Sequence, residues 1–296
     1  MSKVNIVLDA TMLDTFQTCA CKFNYRHNLN KVTPDKATPL DRGSLVHDGN
    51  EAYYNALKSG EGWINAVQLA REAVQIKSKE SNLEPAAISR IIDVLEEHYD
   101  YWKITDLNYE ILAVEQPFMY CLHETDLYRI MMIGKIDLLV NDYQQNHHYE
   151  NLVIDHKSYD REYPVRERTN QFLNYVNASG SNYLVVNKIG FQTSIPVEKK
   201  MKRIPLSYND LMLEQWRANV IKWVELYMEC VAEGVWPMND TSCTKFNKIC
   251  EYDEVCNSSG IEAKMYKLEM NFNTAEPWDV SKSLGLDKGK ENDKVL

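Results

Sequence analysis

The chain has 296 residues, 44% of them hydrophobic and 26% charged, which is ordinary for a globular protein with a substantial core. No run is long and apolar enough for a membrane-spanning helix, and the N-terminus meets Asp9 before any signal-peptide core could form, so a cytosolic, reducing location is expected. The formal net charge of −10 argues against a protein that coats nucleic acid indiscriminately, although residues 157–203 carry nine Lys/Arg against four Asp/Glu.

In chain order, Thr11 is placed to cap a short helix with apolar Met12, Leu13 and Phe16. A polar loop containing Pro34 and Pro39 follows. Helical spacing then covers about 41–58, ending at Gly60-Glu61-Gly62, with further amphipathic stretches over about 63–81 and 85–104. The period changes over 111–122, 128–141 and 152–158, which are rich in Ile, Val, Leu, Met and Tyr and read as strands. Residues 142–146 form a polar turn between two of them. Residues 166–178 return to helix before Ser179-Gly180, 182–192 reads as a strand, 203–205 adds a short one, and 207–233 is a long amphipathic helix. A cysteine-rich loop spans about 236–260. The tail 273–296 loses apolar periodicity and is expected to be disordered. The order predicts an α/β or α+β fold with a mixed sheet. It is read as a single domain over 1–272, with a helical part at about 40–105, a sheet core at about 109–206, and a C-terminal helix and cysteine loop at 207–260.

Four short motifs carry chemistry. Asp155 and Lys157, two apart on a strand in Val153-Ile154-Asp155-His156-Lys157, point to one face. Asp137, in Gly134-Lys135-Ile136-Asp137, is an acid in an otherwise apolar strand. If the two strands pair, Asp137 and Asp155 converge into a hard oxygen site suited to Mg²⁺ or Mn²⁺. Gln171 and Tyr175 share a helix face. His47 follows Gly43 by four positions within a helix and is a candidate imidazole ligand. Singly, the bland reading is preferred: a surface ion pair for Asp155 and Lys157, a structural role for His47, and little meaning for the Gln171–Tyr175 spacing; for the two acids together the site is favoured.

As an ordered set they resemble the RecB-type nuclease motifs of the PD-(D/E)XK superfamily, in which a Gly-x-x-x-His helix, a Gly-x-Ile-Asp strand, an Asp-x-Lys strand and a Gln-x-x-x-Tyr helix follow one another. The resemblance spans Gly43 to Tyr175. It implies a restriction-endonuclease-like core, a mixed central sheet flanked by helices, with a helical N-terminal region and a cysteine-rich C-terminal staple. It also implies phosphodiester hydrolysis on a divalent metal held by His47, Asp137, Asp155 and the main-chain carbonyl of His156. Lys157 would orient or help deprotonate the attacking water, and Gln171 and Tyr175 would position this shell or the scissile strand. Glu115, on the preceding strand, is left unassigned.

Seven cysteines are present, three of them (Cys243, Cys250 and Cys256) within fourteen residues, which points to a metal. The segment Phe16-Gln17-Thr18-Cys19-Ala20-Cys21-Lys22-Phe23 resembles that of iron–sulfur RecB-like nucleases, the AddB-type and CRISPR-associated relatives. By that resemblance Cys19 joins the three C-terminal thiols around a 4Fe–4S cluster, with a structural Zn²⁺ as the rival, and Cys21 is a spare. The C-terminal spacing and Ala20 depart from the commonest pattern. Cys121 and Cys230 are expected to be buried small residues. The implied function is a DNA exonuclease or end-processing nuclease acting on single strands or DNA ends. With no helicase motif of its own, it would stand alone or work beside a helicase or recombination protein. If the chain is phage-encoded, its compartment is the host cytoplasm. A catalytically silent DNA-binding or scaffolding protein with the same fold is the alternative, weakened by the survival of His47, Asp137, Asp155 and Lys157.

Overall fold

The structure, a computed structural model, describes residues 3–34, 38–143, 148–245 and 248–276. In chain order these form β1 (Val4–Leu8), α1 (Ala10–Thr18), α2 (Ala20–Phe23), β2 (Lys31–Val32), α3 (Thr38–Lys58), α4 (Trp63–Lys77), α5 (Pro85–Leu107), β3 (Glu110–Glu124), β4 (Tyr128–Asp142) and β5 (Tyr149–Tyr159). They continue with α6 (Asn170–Ser179), β6 (Tyr183–Gly190), α7 (Val197–Lys200), β7 (Met201–Ser207), α8 (Asp210–Glu233), β8 (Thr244–Lys245), β9 (Lys248–Ile249), α9 (Asp253–Cys256), α10 (Ile261–Asn271) and β10 (Asn273–Thr274). The main sheet has the order β1-β4-β5-β6-β7, with β3 also on β4. Its pairings are mixed, as expected: β1–β4 and β5–β6 are parallel, β4–β5 and β6–β7 antiparallel. Among the described residues no helix is long and apolar enough to cross a membrane.

The chain divides into two compact units, 1–36 with 119–134 and 211–296, and 37–118 with 135–210. In the second, α3 presents Leu45, Val46, Tyr53 and Tyr54 on one stripe, two adjacent pairs that recur about two helical turns apart. These pack with Val74 of α4, Leu95 and Tyr99 of α5, and Leu138, Val140, Leu152 and Ile154 of the β4–β5 hairpin. A Cβ on Gly49 would stand 2.6 Å from Leu95 Cδ1, so any larger residue here would have to displace the Leu95 side chain. In the first unit, Phe16 meets Phe23, Trp223 and Tyr227 edge-on, at 5.3, 6.2 and 5.9 Å between ring centroids.

Several expectations need correction. The strand Val4–Leu8 was not anticipated, and α1 is capped by Asp9, whose carboxylate accepts from Met12 N at 2.7 Å, rather than by Thr11. Helix α3 begins at Thr38, so Pro39 lies in its first turn, where a missing N–H costs nothing, and not in a loop. Helix α6 begins at Asn170 behind a Thr169 cap, and β7 is a full strand of seven residues. The tail stays ordered through β10, which pairs with β2. The rest of the tail expectation, 277–296, and the tip of the 142–146 turn lie outside the described residues. Cys230 is buried as expected, but Cys121 is exposed.

Candidate active site

All the predicted catalytic residues lie in the second unit, on elements that the core places side by side. Antiparallel pairing sets Leu138 opposite Ile154, which brings the next residue of each strand, Asp137 and Asp155, to neighbouring positions. Asp155 is fully buried and Asp137 is 6% exposed. The main-chain N–H of His156 donates to Asp137 Oδ2 at 2.8 Å. From α3, His47 Nδ1 lies 3.7 Å from that same oxygen and 3.3 Å from Glu115 Oε1. His47, Glu115 and Asp137 form a group whose ligand atoms all fall within 4.8 Å, a candidate cation site. On the other side of Asp155, Lys157 Nζ donates to Asp155 Oδ1 at 2.9 Å and to Gln171 Oε1 at 3.1 Å. Gln171 Nε2 in turn donates to the Tyr175 hydroxyl at 3.0 Å. The four motifs therefore form a continuous constellation.

Glu115 is the addition. Its carboxylate pairs with Lys135 as well as His47, and its backbone sits at φ 47°, a left-handed conformation uncommon for a glutamate. An acid inside the apolar run 111–122 was the available signal. His156 contributes only its main chain here: its ring is buried and stacks on Tyr54 at 5.4 Å. Nothing crowds a Cβ at Gly43, so that glycine is not demanded by packing.

Electrostatics match the geometry. Burial raises the Asp137 pKa to about 7; His47 opposes this and the neighbouring Asp155 adds to it. Burial works against the charged forms of His47 and Lys157. For His47 the Glu115 hydrogen bond and the nearby carboxylates outweigh it, and for Lys157 Asp155 and Asp137 do; both pKa values rise. One carboxylate oxygen, Asp155 Oδ2, is buried with no protein partner. A lone buried oxygen of this kind is costly unless something cationic or protic meets it.

Behind the site runs a buried polar chain. Arg203 Nη2 is 2.6 Å from Asp106 Oδ1, and Arg203 also donates to Tyr54, Tyr109 and Asn187. Asn187 Nδ2 reaches His98 Nε2 at 3.2 Å and His156 Nδ1 at 2.8 Å. Burial holds the pKa of His98 well below its ordinary value, and in the other unit burial lowers His27 to about 4. A histidine that is harder to protonate folded than unfolded contributes stability above its unfolded pKa near 6.5 and loses it as pH falls below. We therefore expect His98 to make stability fall between pH 7 and 5 by up to about 1.4 kcal/mol per pH unit, a slope opposed by Asp137, which takes up a proton more readily folded than unfolded in the same window. Urea titrations of wild type and His98→Gln at successive pH values check this, and identical pH slopes contradict it.

In the first unit the thiols gather. Cys21, Tyr25, Tyr252, Val255, Leu268 and Phe272 form a buried cluster against which Cys19, Cys250 and Cys256 pack. Cys21 Sγ is 4.0 Å from Cys256 Sγ, so the residue read as spare sits among the others. The main-chain N–H of Cys250 donates to Cys243 O at 2.7 Å, closing the short loop between them.

The family model of the PD-(D/E)XK nuclease superfamily matches residues 8–257, a span that contains every residue of this constellation. The chain belongs to the PD-(D/E)XK nuclease superfamily. Asp155-His156-Lys157, inside the matched span, has the form of the (D/E)XK in the superfamily's name. Among solved structures the chain is similar to a "Putative exonuclease" from Eubacterium rectale, at 12% identity and TM-score 0.45, covering 85% of this chain and 94% of that one. It is also similar to LHK-Exo, solved in complex with dAMP, at 12% identity and TM-score 0.30, covering 67% of this chain and 97% of that one. No match was found among curated proteins.

Proposed function

We propose that this superfamily member is a divalent-metal-dependent deoxyribonuclease, an exonuclease or end-processing enzyme acting on single-stranded DNA or DNA ends. The observation that carries the reading is Asp155: a fully buried carboxylate with one oxygen on Lys157 and the other free of protein partners, beside the His47–Glu115–Asp137 group. His47, Asp137 and Asp155 would hold Mg²⁺ or Mn²⁺, joined by Glu115 and the main-chain carbonyl of His156. Hard oxygen donors and one imidazole suit such ions. When bound, the metal supplies a reactive hydroxide near neutral pH and stabilises charge on the phosphate. Lys157, whose pKa is raised, is a cation in the metal-free protein. It therefore serves better as a donor orienting the nucleophile or a phosphate oxygen than as a base. Gln171 and Tyr175 hold that ammonium in place through their hydrogen-bonded relay. Hydrolysis of end-labelled single- and double-stranded DNA with Mn²⁺ or Mg²⁺, abolished by EDTA and restored by excess metal, tests the reading. Activity that persists in EDTA refutes it. A helicase or recombination protein would supply the unwound strand.

We further propose that Cys19, Cys243, Cys250 and Cys256 hold a 4Fe–4S cluster. What supports the reading is that Cys19, Cys250 and Cys256 pack against one buried cluster in the first unit, with Cys250 tied to Cys243 through the Cys243 carbonyl. Anaerobically purified protein should be brown, with about four irons per chain, and Cys256→Ser should be colourless with a lower melting temperature. Colourless wild-type protein carrying zinc would decide for the rival.

A further inference from the structure

The segment 160–169 joins the strand that carries Asp155 and Lys157 to the helix that carries Gln171 and Tyr175. It has no regular structure, yet it is anchored. Lys188, on β6, is fully buried; its ammonium donates to the main-chain oxygen of Tyr163 at 2.8 Å and pairs with Glu162. The same ammonium lies 4.1 Å from the centre of the Tyr163 ring, and Tyr159 meets that ring edge-on at 6.0 Å. Burying a lysine in this way is expensive and is met here by fixing a loop. Despite these contacts Tyr163 remains 39% exposed, and it lies within the field of both Lys157 and Asp155.

The charges of the segment are distributed unevenly. Asp160 is bound by Arg42 at 2.7 Å, and Glu162 by Lys188 and Lys202. The arginines at 161, 166 and 168 are exposed and make no ion pair among the described residues, leaving only Glu167 against them. An exposed aromatic ring with unneutralised guanidinium groups on a held loop is the combination that binds an unpaired strand. The ring stacks on a base face, and the cations take phosphates.

Resting on the nuclease reading above, we propose that residues 160–169 are the substrate edge of the site and select single-stranded DNA: Tyr163 stacks on one unpaired base while Arg161, Arg166 and Arg168 neutralise phosphates on either side. A base inside a duplex has both faces covered by its neighbours and offers Tyr163 nothing to stack on. The test is a binding measurement in EDTA, where no hydrolysis occurs, using fluorescence anisotropy of a labelled oligodeoxynucleotide and a hairpin-capped duplex of the same length. Tyr163→Ala should weaken single-strand binding by about ten-fold or more, and Tyr163→Phe should restore it. The main-chain anchor to Lys188 is unaffected by either change. The triple variant R161A/R166A/R168A should reduce the slope of log affinity against log salt by about 2. Circular dichroism of each variant checks the fold. Unchanged affinity in Y163A with an unchanged salt slope in the triple variant overturns the proposal, as does equal affinity of wild type for the capped duplex. If wild type binds as described but hydrolyses nothing with added metal, the nuclease reading fails and this one stands.

Discussion

Asp155→Asn should lower the rate of DNA hydrolysis by at least about 10³-fold while leaving the melting temperature close to that of wild type, or above it. Losing metal-based charge stabilisation removes several kcal/mol from transition-state binding, and each 1.4 kcal/mol is tenfold in rate. Stability should respond differently. Asp155 is fully buried with one oxygen unpartnered, so the folded metal-free protein already carries the cost of desolvating a carboxylate. A neutral amide of the same shape lowers that cost and still accepts from Lys157. Lys157→Ala removes the donor that links Asp155 to Gln171 and should cost about 10²–10³-fold. Steady-state rates beside thermal melts decide both points, and two variants as active as wild type would remove the catalytic assignment.

Arg203→Ala should have the largest effect on stability, about 3–5 kcal/mol. Asp106 is 1% exposed, and its balancing charge is that one guanidinium at 2.6 Å, with the Tyr54 hydroxyl on its other oxygen at 3.2 Å. Truncating the arginine strands the charge and also opens the space over the Trp102 ring, where the guanidinium lies at 4.4 Å. Lysine would not rescue it, because a point charge cannot serve Asp106, Tyr54, Tyr109 and Asn187 at once. Chemical denaturation gives the number directly, and a loss below about 1 kcal/mol would show that the network contributes little. Because Asn187 also holds His156, whose N–H binds Asp137, the variant should bind Mn²⁺ more weakly even where it stays folded.

What could be read in the residues was the local pattern. The helical stripe of α3, the β4–β5 hairpin and the alternation that sends Asp155 and Lys157 to one face all follow from periods of 3.6 and 2, and the motifs ride on them. Features set by distant partners could not be read. The strand Val4–Leu8 is five residues long and takes its identity from pairing with Tyr128–Met132. Helix α10 has a single buried side chain, Leu268, and so no apolar stripe to betray it. The Arg203–Asp106 pair joins residues 97 positions apart, and Arg203 in the sequence is one basic residue in a basic stretch. Glu115 lies on a strand half-buried along much of its length, without clean alternation to mark which acid faces inward.

The left-handed backbone at Glu115 sets two selective pressures against each other. That conformation favours glycine or asparagine, and a glutamate there carries a strain of about 1–3 kcal/mol. Drift toward greater stability would therefore favour replacing this residue, and with it the carboxylate that faces His47. A lineage that had lost nuclease activity would be free to relax the position, and its occupant would report that loss.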